Sequence, residues 1–240
     1  MPRFYCAQPL SPGLTLDLPP EVAHHVHVLR LAPGETLSLF DGRGGEYAAV
    51  LDEVGKKRAT ATIGAFTARE AELPYAVTLA QALPEGTKMD WIIEKAMELG
   101  VAAVQPLAAR RCVVRLSAER AEKKLAHWQG VIVAAAEQSG RNRLASLAEP
   151  LELREWLARP VPQRILLSPR ADASLAQWAQ RNPAQDLSLL VGPEGGFTTE
   201  EEDAAIAAGA LPLSMGPRVL RTETAALAAL AILNGAWDPA

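Results

Sequence analysis

LSLLVGPEGGFTTEEEDAAIAAGALPLSMGPRVLRTETAALAALAILNGAW, residues 187–237, is the stretch whose reading decides the fold. It opens with an apolar run, 187–191, of the length of a fully buried strand, and GPEGG follows without a polar spacer. The chain therefore turns at the strand's carboxyl end. Thr198 and Thr199 stand three residues before Glu201 and Glu202, a doubled capping box, and the acidic first turn suits the positive end of a helix dipole. That helix is expected to stop at Gly209. A second apolar run, 211–215, reaches Gly216 and Pro217, after which 218–224 leads into an alanine-rich helix over about 222–234. The sequence of strand, glycine-proline loop and helix thus occurs twice.

Two parallel strands ending in glycine loops make a crevice of the kind in which open α/β sheets bind ligands. A glycine-rich turn into a helix usually attracts phosphate, through exposed N–H groups and the helix dipole. Here Glu194 lies in the loop itself, and Glu200, Glu201, Glu202 and Asp203 follow, so a phosphate would meet repulsion. Neither GxGxxG nor GxxxxGK[ST] occurs in the chain. A ligand without phosphate fits better. Two tight turns in an ordinary α/β domain are the plainer alternative.

The 240 residues suffice for one large or two modest domains. Composition is that of a soluble globular protein, 49% hydrophobic and 22% charged, with no apolar run long enough for a membrane span and no secretory leader, so the cytoplasm is expected. Cys6 and Cys112 stand far apart without a CxxC and read as buried, inert thiols. The net charge of −4 argues against nucleic acid only at first sight, because its distribution matters more than its sum. Between Arg110 and Arg143 eight basic residues face three glutamates. Such a segment can bind phosphates, or can be a solvated helix face.

Residues 1–66 read as a small β domain, with strands over 3–7, 14–18, 36–40, 46–51 and 59–63 and a glycine-rich hairpin loop at 41–45. A helical turn from Pro19 carries His24, His25 and His27, which lack a cysteine or carboxylate to complete a metal site, so no metal is expected. A polar hinge places the domain boundary near residue 72. Beyond it come a strand at 75–80, a helix that Thr87 can cap with Met89, Ile92, Ile93, Ala96 and Met97 on one face, and a strand at 101–106. Ser117 can cap a long helix over 118–138 with Trp128 and Ile132 toward the core. A helix over 152–158, a strand over 164–167 and a helix over 173–180 precede the opening stretch. Strands alternating with helices predict an α/β domain, a parallel sheet with helices on both faces.

GPEGGF before an acidic helix start, LPLSMGPRVLRTETAALAAL, and KMDWIIEKAMELGVAAVQPLAARR together resemble the signatures of the RsmE family, SPOUT-class methyltransferases that act on N3 of a uridine in 16S ribosomal RNA. The resemblance implies a PUA-like RNA-binding β-barrel domain at 1–72, a SPOUT domain with a trefoil knot at 73–240, S-adenosylmethionine as cofactor, the small ribosomal subunit as partner, and a homodimer. General topology rules weigh against a knot; it is expected only through the resemblance. On this footing the cofactor pocket is assigned to Leu166, Ser168, Val191, Gly192, Pro193, Glu194, Gly195, Leu211, Leu213, Ser214, Met215, Gly216, Leu220, Arg221, Thr224 and Ala225. Arg221 is the candidate for steadying the uracil anion or a phosphate, with Glu223 and Glu194 as candidate proton acceptors. RNA contacts fall to Arg3, Arg30, Arg43, Arg110, Arg111, Arg141 and Arg143, the last two in EQSGRNR, which resembles a family stretch beside the active site. Glu94, Lys95 and Glu98 belong to the family's central signature, yet simple ion pairing would also account for them. A SPOUT enzyme for another RNA site, a non-catalytic RNA-binding factor and an α/β oxidoreductase remain as rival readings.

Overall fold

The computed structural model describes residues 1–114 and 117–237, and the chain divides into two compact units. One comprises Met1–Glu72 with Ala136–Leu144, the other Leu73–Ala135 with Ala145–Ala240. The EQSGRNR segment, read from sequence as part of the second domain, therefore packs in the first unit.

The first unit holds β1 (Arg3–Tyr5), β2 (Thr15–Asp17), α1 (Pro20–Val28), β3 (Thr36–Phe40), β4 (Glu46–Val54) and β5 (Ala59–Thr67). The sheet order is β1-β3-β4-β5-β2, with β1 parallel to β3 and the other pairs antiparallel. β4 and β5 run longer than their apolar alternation, because the ladder continues through the exposed Asp52 and Glu53 to Val54 in β4 and into the exposed AFT at the end of β5. Leu37, Leu39, Leu51 and Ile63 from the sheet and Val22 and Val26 from α1 share one apolar core that also encloses Cys6. Burial pushes the Cys6 thiol up.

The second unit adds β6 (Val77–Ala82), α2 (Lys88–Glu98), β7 (Ala103–Ala108), α3 (Ala118–Ser139, whose last turn belongs to the first unit), β8 (Ser146–Leu147) and β9 (Leu151–Glu152). Then follow α4 (Leu153–Leu157), β10 (Gln163–Leu167), α5 (Leu175–Arg181), β11 (Leu187–Val191), α6 (Thr199–Ala207), β12 (Ala210–Leu213) and α7 (Thr222–Trp237). The sheet is parallel throughout, ordered β12-β10-β11-β6-β7-β8, with β9 also on β7. All five residues of β11 are buried, as a central parallel strand covered on both faces requires. Pro106 lies within β7, where a proline would normally break the ladder. Ala102 and Val104, two residues apart, point their carbonyls at the β8 side, so the missing N–H of Pro106 faces the same side, where the neighbouring chain is interrupted between β8 and β9.

Thr198 and Glu201 form the expected capping box at the start of α6. Thr87, by contrast, makes no side-chain cap for α2. Cys112 is buried like Cys6. On α3, Trp128 and Ile132 are buried, and the Trp128 indole N–H donates to Asp90 on α2 at 2.9 Å. Among the described residues no helix is long and apolar enough to cross a membrane.

Candidate functional site

The chain leaves β6 toward β7 and the short β8 and β9, jumps across to lay down β10, and then returns to fill the gap between β10 and β6 with β11. The strands that end in the two glycine turns, β11 and β12, are thus separated by β10, and the loop leaving β10 joins them. Three loops at three adjacent carboxyl ends enclose one cavity of about 230 Å³.

Its walls are Leu167, Ser168 and Pro169 after β10, Val191 to Phe197 after β11, Glu202 from α6, Met215, Arg218, Val219 and Leu220 after β12, and Thr222 and Ala225 from α7. Of the residues assigned from sequence, Ser168, Val191, Gly192, Pro193, Glu194, Gly195, Met215, Leu220 and Ala225 line it. Leu166, Leu211, Leu213, Ser214, Gly216, Arg221 and Thr224 do not. Leu166 and Leu213 are buried in the sheet, and Ser214 fastens the loop after β12 to Ala173, its amide donating at 2.8 Å and its hydroxyl at 3.3 Å. Leu167, Pro169, Gly196, Phe197, Glu202, Arg218, Val219 and Thr222 line the cavity without having been assigned. Glu202 carries a signal in the sequence, as one of the acids that disfavour a phosphate at the start of α6, though that signal does not single it out as a lining residue.

The glycine loop is folded tightly on itself. The amide of Gly196 donates to Pro193 at 2.8 Å, and a Cβ on Gly192 would meet the Phe197 nitrogen at 3.1 Å. Four groups from elsewhere hold it. The buried Thr222 hydroxyl donates to the Gly192 carbonyl at 2.5 Å and accepts from Gln81 Nε2, on β6, at 2.9 Å. Arg111 Nη1 donates to the Gly195 carbonyl at 2.7 Å, and a Cβ on Gly195 would crowd the same arginine at 3.3 Å. Glu194 Oε1 accepts from the Glu85 amide at 2.9 Å and from Lys88 Nζ at 2.5 Å. Burial works against the Glu194 charge, but these two donors hold its carboxyl below the usual carboxylate range.

Ser168 donates to Glu202 Oε2 at 3.1 Å, and the same oxygen pairs with Arg170 at 2.8 Å. Arg221 is exposed and makes no ion pair among the described residues, while Glu223 beside it has one buried carboxylate oxygen without a partner among them. One acid of the two candidate acceptors is therefore engaged and the other available.

Residues 71–234 match the family model of the RNA methyltransferase domain, and residues 18–64 that of the RNA methyltransferase PUA domain. The ribosomal RNA small subunit methyltransferase E of Synechocystis is 37% identical over 226 residues, 92% of this chain and 73% of the relative, and that of Bacillus subtilis is 32% identical over 95% of this chain and 92% of the relative. The chain belongs to this RNA methyltransferase family, RsmE. Among solved structures, the family's enzyme from Neisseria gonorrhoeae, bound to S-adenosyl methionine, superposes with a TM-score of 0.92 at 40% identity, covering 99% of this chain and 98% of that one.

The arginines assigned to RNA fare differently within the two units. Arg3 is mostly buried, pairing with Glu46, donating to Asn142 Oδ1 at 2.9 Å and to the Arg141 carbonyl at 3.1 Å, and lying 4.9 Å from the centroid of the Phe40 ring. Arg141 is 3% exposed and pairs with Glu72. Both arginines are committed to holding 136–144 in the first unit, which corrects their assignment as phosphate contacts: a buried, paired guanidinium has no face left for a phosphate. Arg30, Arg43 and Arg143 are exposed, and the backbones of Arg43 and Arg143 bridge one another. In the second unit Arg110 is exposed and its amide donates to Glu201, while Arg111 braces the glycine loop. Lys95 pairs with Glu94 and Glu98 on its own helix, each at 2.7 Å. His24, His25 and His27 are exposed along α1, and no cluster able to hold a metal ion occurs among the described residues.

Proposed function

We propose that this protein methylates N3 of a uridine in the 16S ribosomal RNA of the small subunit, with S-adenosylmethionine as methyl donor. The observation that carries the reading is the single cavity at the carboxyl ends of β10, β11 and β12, in a chain of this family. Its residues suit the donor. Leu167, Val191, Phe197, Leu220 and Ala225 offer apolar surface for an adenine ring, and the loop backbone offers N–H and C=O groups. When bound, the donor supplies a methyl group on a sulfonium, which leaves by in-line displacement, so the protein's task is alignment and electrostatics. Arg221, exposed and unpaired among the described residues, steadies the uracil anion, and Glu223 takes the N3 proton. Glu194, already held by Lys88 and the Glu85 amide, is the poorer acceptor.

Within this reading residues 1–72 form an RNA-binding domain and residues 73–240 the methyltransferase domain, and Arg30, Arg43 and Arg143 are the exposed cations of the first unit, Arg43 beside Asp41 and Arg143 beside Glu70. A trefoil-knotted path through the second unit belongs to the same reading. Ala231, Gly235 and Ala236, exposed on α7, are small enough for the close packing of a homodimer. A cytoplasmic location accords with the substrate. The reading is tested by incubating the protein with labelled S-adenosylmethionine and small subunits from cells lacking the enzyme. Label at N3 of one uridine is expected, whereas label at another position or none overturns it.

A further inference from the structure

α2 begins with a lysine, and a cation in the first turn opposes the helix dipole. The helix gains nothing from it. Lys88 instead reaches Glu194, the charged residue of the glycine loop, and donates to Oε1 at 2.5 Å, while the Glu85 amide just before α2 donates to the same oxygen. Both side chains of the pair are about one third exposed, at 34% and 33%, so the pair adds little to overall stability. What it does is local. Gly192 and Gly195 are fastened through their carbonyls, to Thr222 and Arg111, and Glu194 is the point between them fastened through a side chain.

We propose that Lys88 is a positioning residue for methyl transfer, acting through Glu194 to hold the loop after β11 in its donor-binding shape. The proposal rests on the reading that the cavity takes S-adenosylmethionine. By keeping the Glu194 carboxylate turned to the start of α2, Lys88 leaves the loop's backbone groups facing the cavity and leaves Glu223 as the acid free to take a proton. A lysine rather than an apolar residue is needed because the Glu85 amide alone would hold the Glu194 carboxylate by one hydrogen bond, and the loosened loop would spend less time in its donor-binding shape.

Calorimetric titration of S-adenosylmethionine into the full-length protein tests this, with thermal melts confirming that each variant is folded. Lys88→Met is expected to weaken donor binding about fivefold, the upper range for a pair of this exposure, and Lys88→Arg to restore it. Glu194→Gln should weaken binding by a similar factor, with Lys88→Met adding nothing in that background. Wild-type affinity in Lys88→Met, or effects of the two substitutions that simply add, would overturn the role of Lys88. Failure of the wild-type protein to take up the donor would instead overturn the assignment of the cavity.

Discussion

At the level of single residues, the division of labour among charged groups follows from who already has a partner. Arg221 and Glu223 flank Thr222 at the start of α7, the first exposed and the second with one buried oxygen that has no partner among the described residues. Arg221→Ala is expected to lower turnover by about a hundredfold, the range for removing a stabiliser of developing charge, with donor affinity unchanged in calorimetry. Glu223→Gln is expected to lower it by a similar factor and to change the pH profile of turnover; an unaltered profile would reduce Glu223 to a helix-terminal acid. Two acids in the first unit carry opposite signs. Burial opposes the charge of Glu46, but Arg69 and Arg3 hold its carboxyl below the usual range, so its contribution to stability is present above that range and lost as pH falls through the lowered value. Burial raises Glu137, whose folded state favours the proton, so its cost appears as pH rises. Thermal melts should therefore show Glu46→Gln destabilised at neutral pH with the difference shrinking in acid. Glu137→Gln, which keeps an acceptor for the Tyr5 amide, should melt higher than wild type at neutral pH.

Elements whose ends are set by local chemistry were legible in the sequence. Of the doubled capping box, the Thr198–Glu201 half forms while Glu202 turns to Ser168 and Arg170, and Gly209, with φ of 85°, stops the chain after α6 because a left-handed turn is cheap only there. Elements whose ends depend on a distant partner were not. β4 and β5 outrun their apolar pattern because each continues the other's ladder, and β8 and β9 exist only because β7 offers them an edge. The same holds for the join between α7 and the loop after β11. Thr222 reads as one more helix-starting threonine, yet its hydroxyl links Gln81 on β6 to the Gly192 carbonyl. Thr222→Val would leave a buried amide donor and a carbonyl unpaired, at a cost of about 1–3 kcal/mol. It is expected to weaken S-adenosylmethionine binding in calorimetry, and Thr222→Ser, which keeps the hydroxyl, is expected to retain most of it.

For the whole molecule, the net charge of −4 says little about affinity for RNA, because the first unit carries three exposed arginines, Arg30, Arg43 and Arg143, while the acids of α6 belong to the second unit. Replacing each by alanine is expected to flatten the slope of log affinity against log salt by about 0.7 for single-stranded RNA. Replacing Arg141 should instead lower stability, because its partner Glu72 would be left partly buried and unpaired. Both arginines of the EQSGRNR segment look alike as residues, and only their packing separates the buried one from the exposed one. By itself the sequence determined the alternation of strands and helices and the two glycine turns, since these depend on neighbours within a few positions. The tertiary structure alone decided that β10 lies between the two turns, that residues 136–144 pack with the first unit, and that Lys88 meets Glu194 across 106 positions. Such pairings are chosen by the burial of whole faces and by strand order, and no local pattern along the chain carries that information.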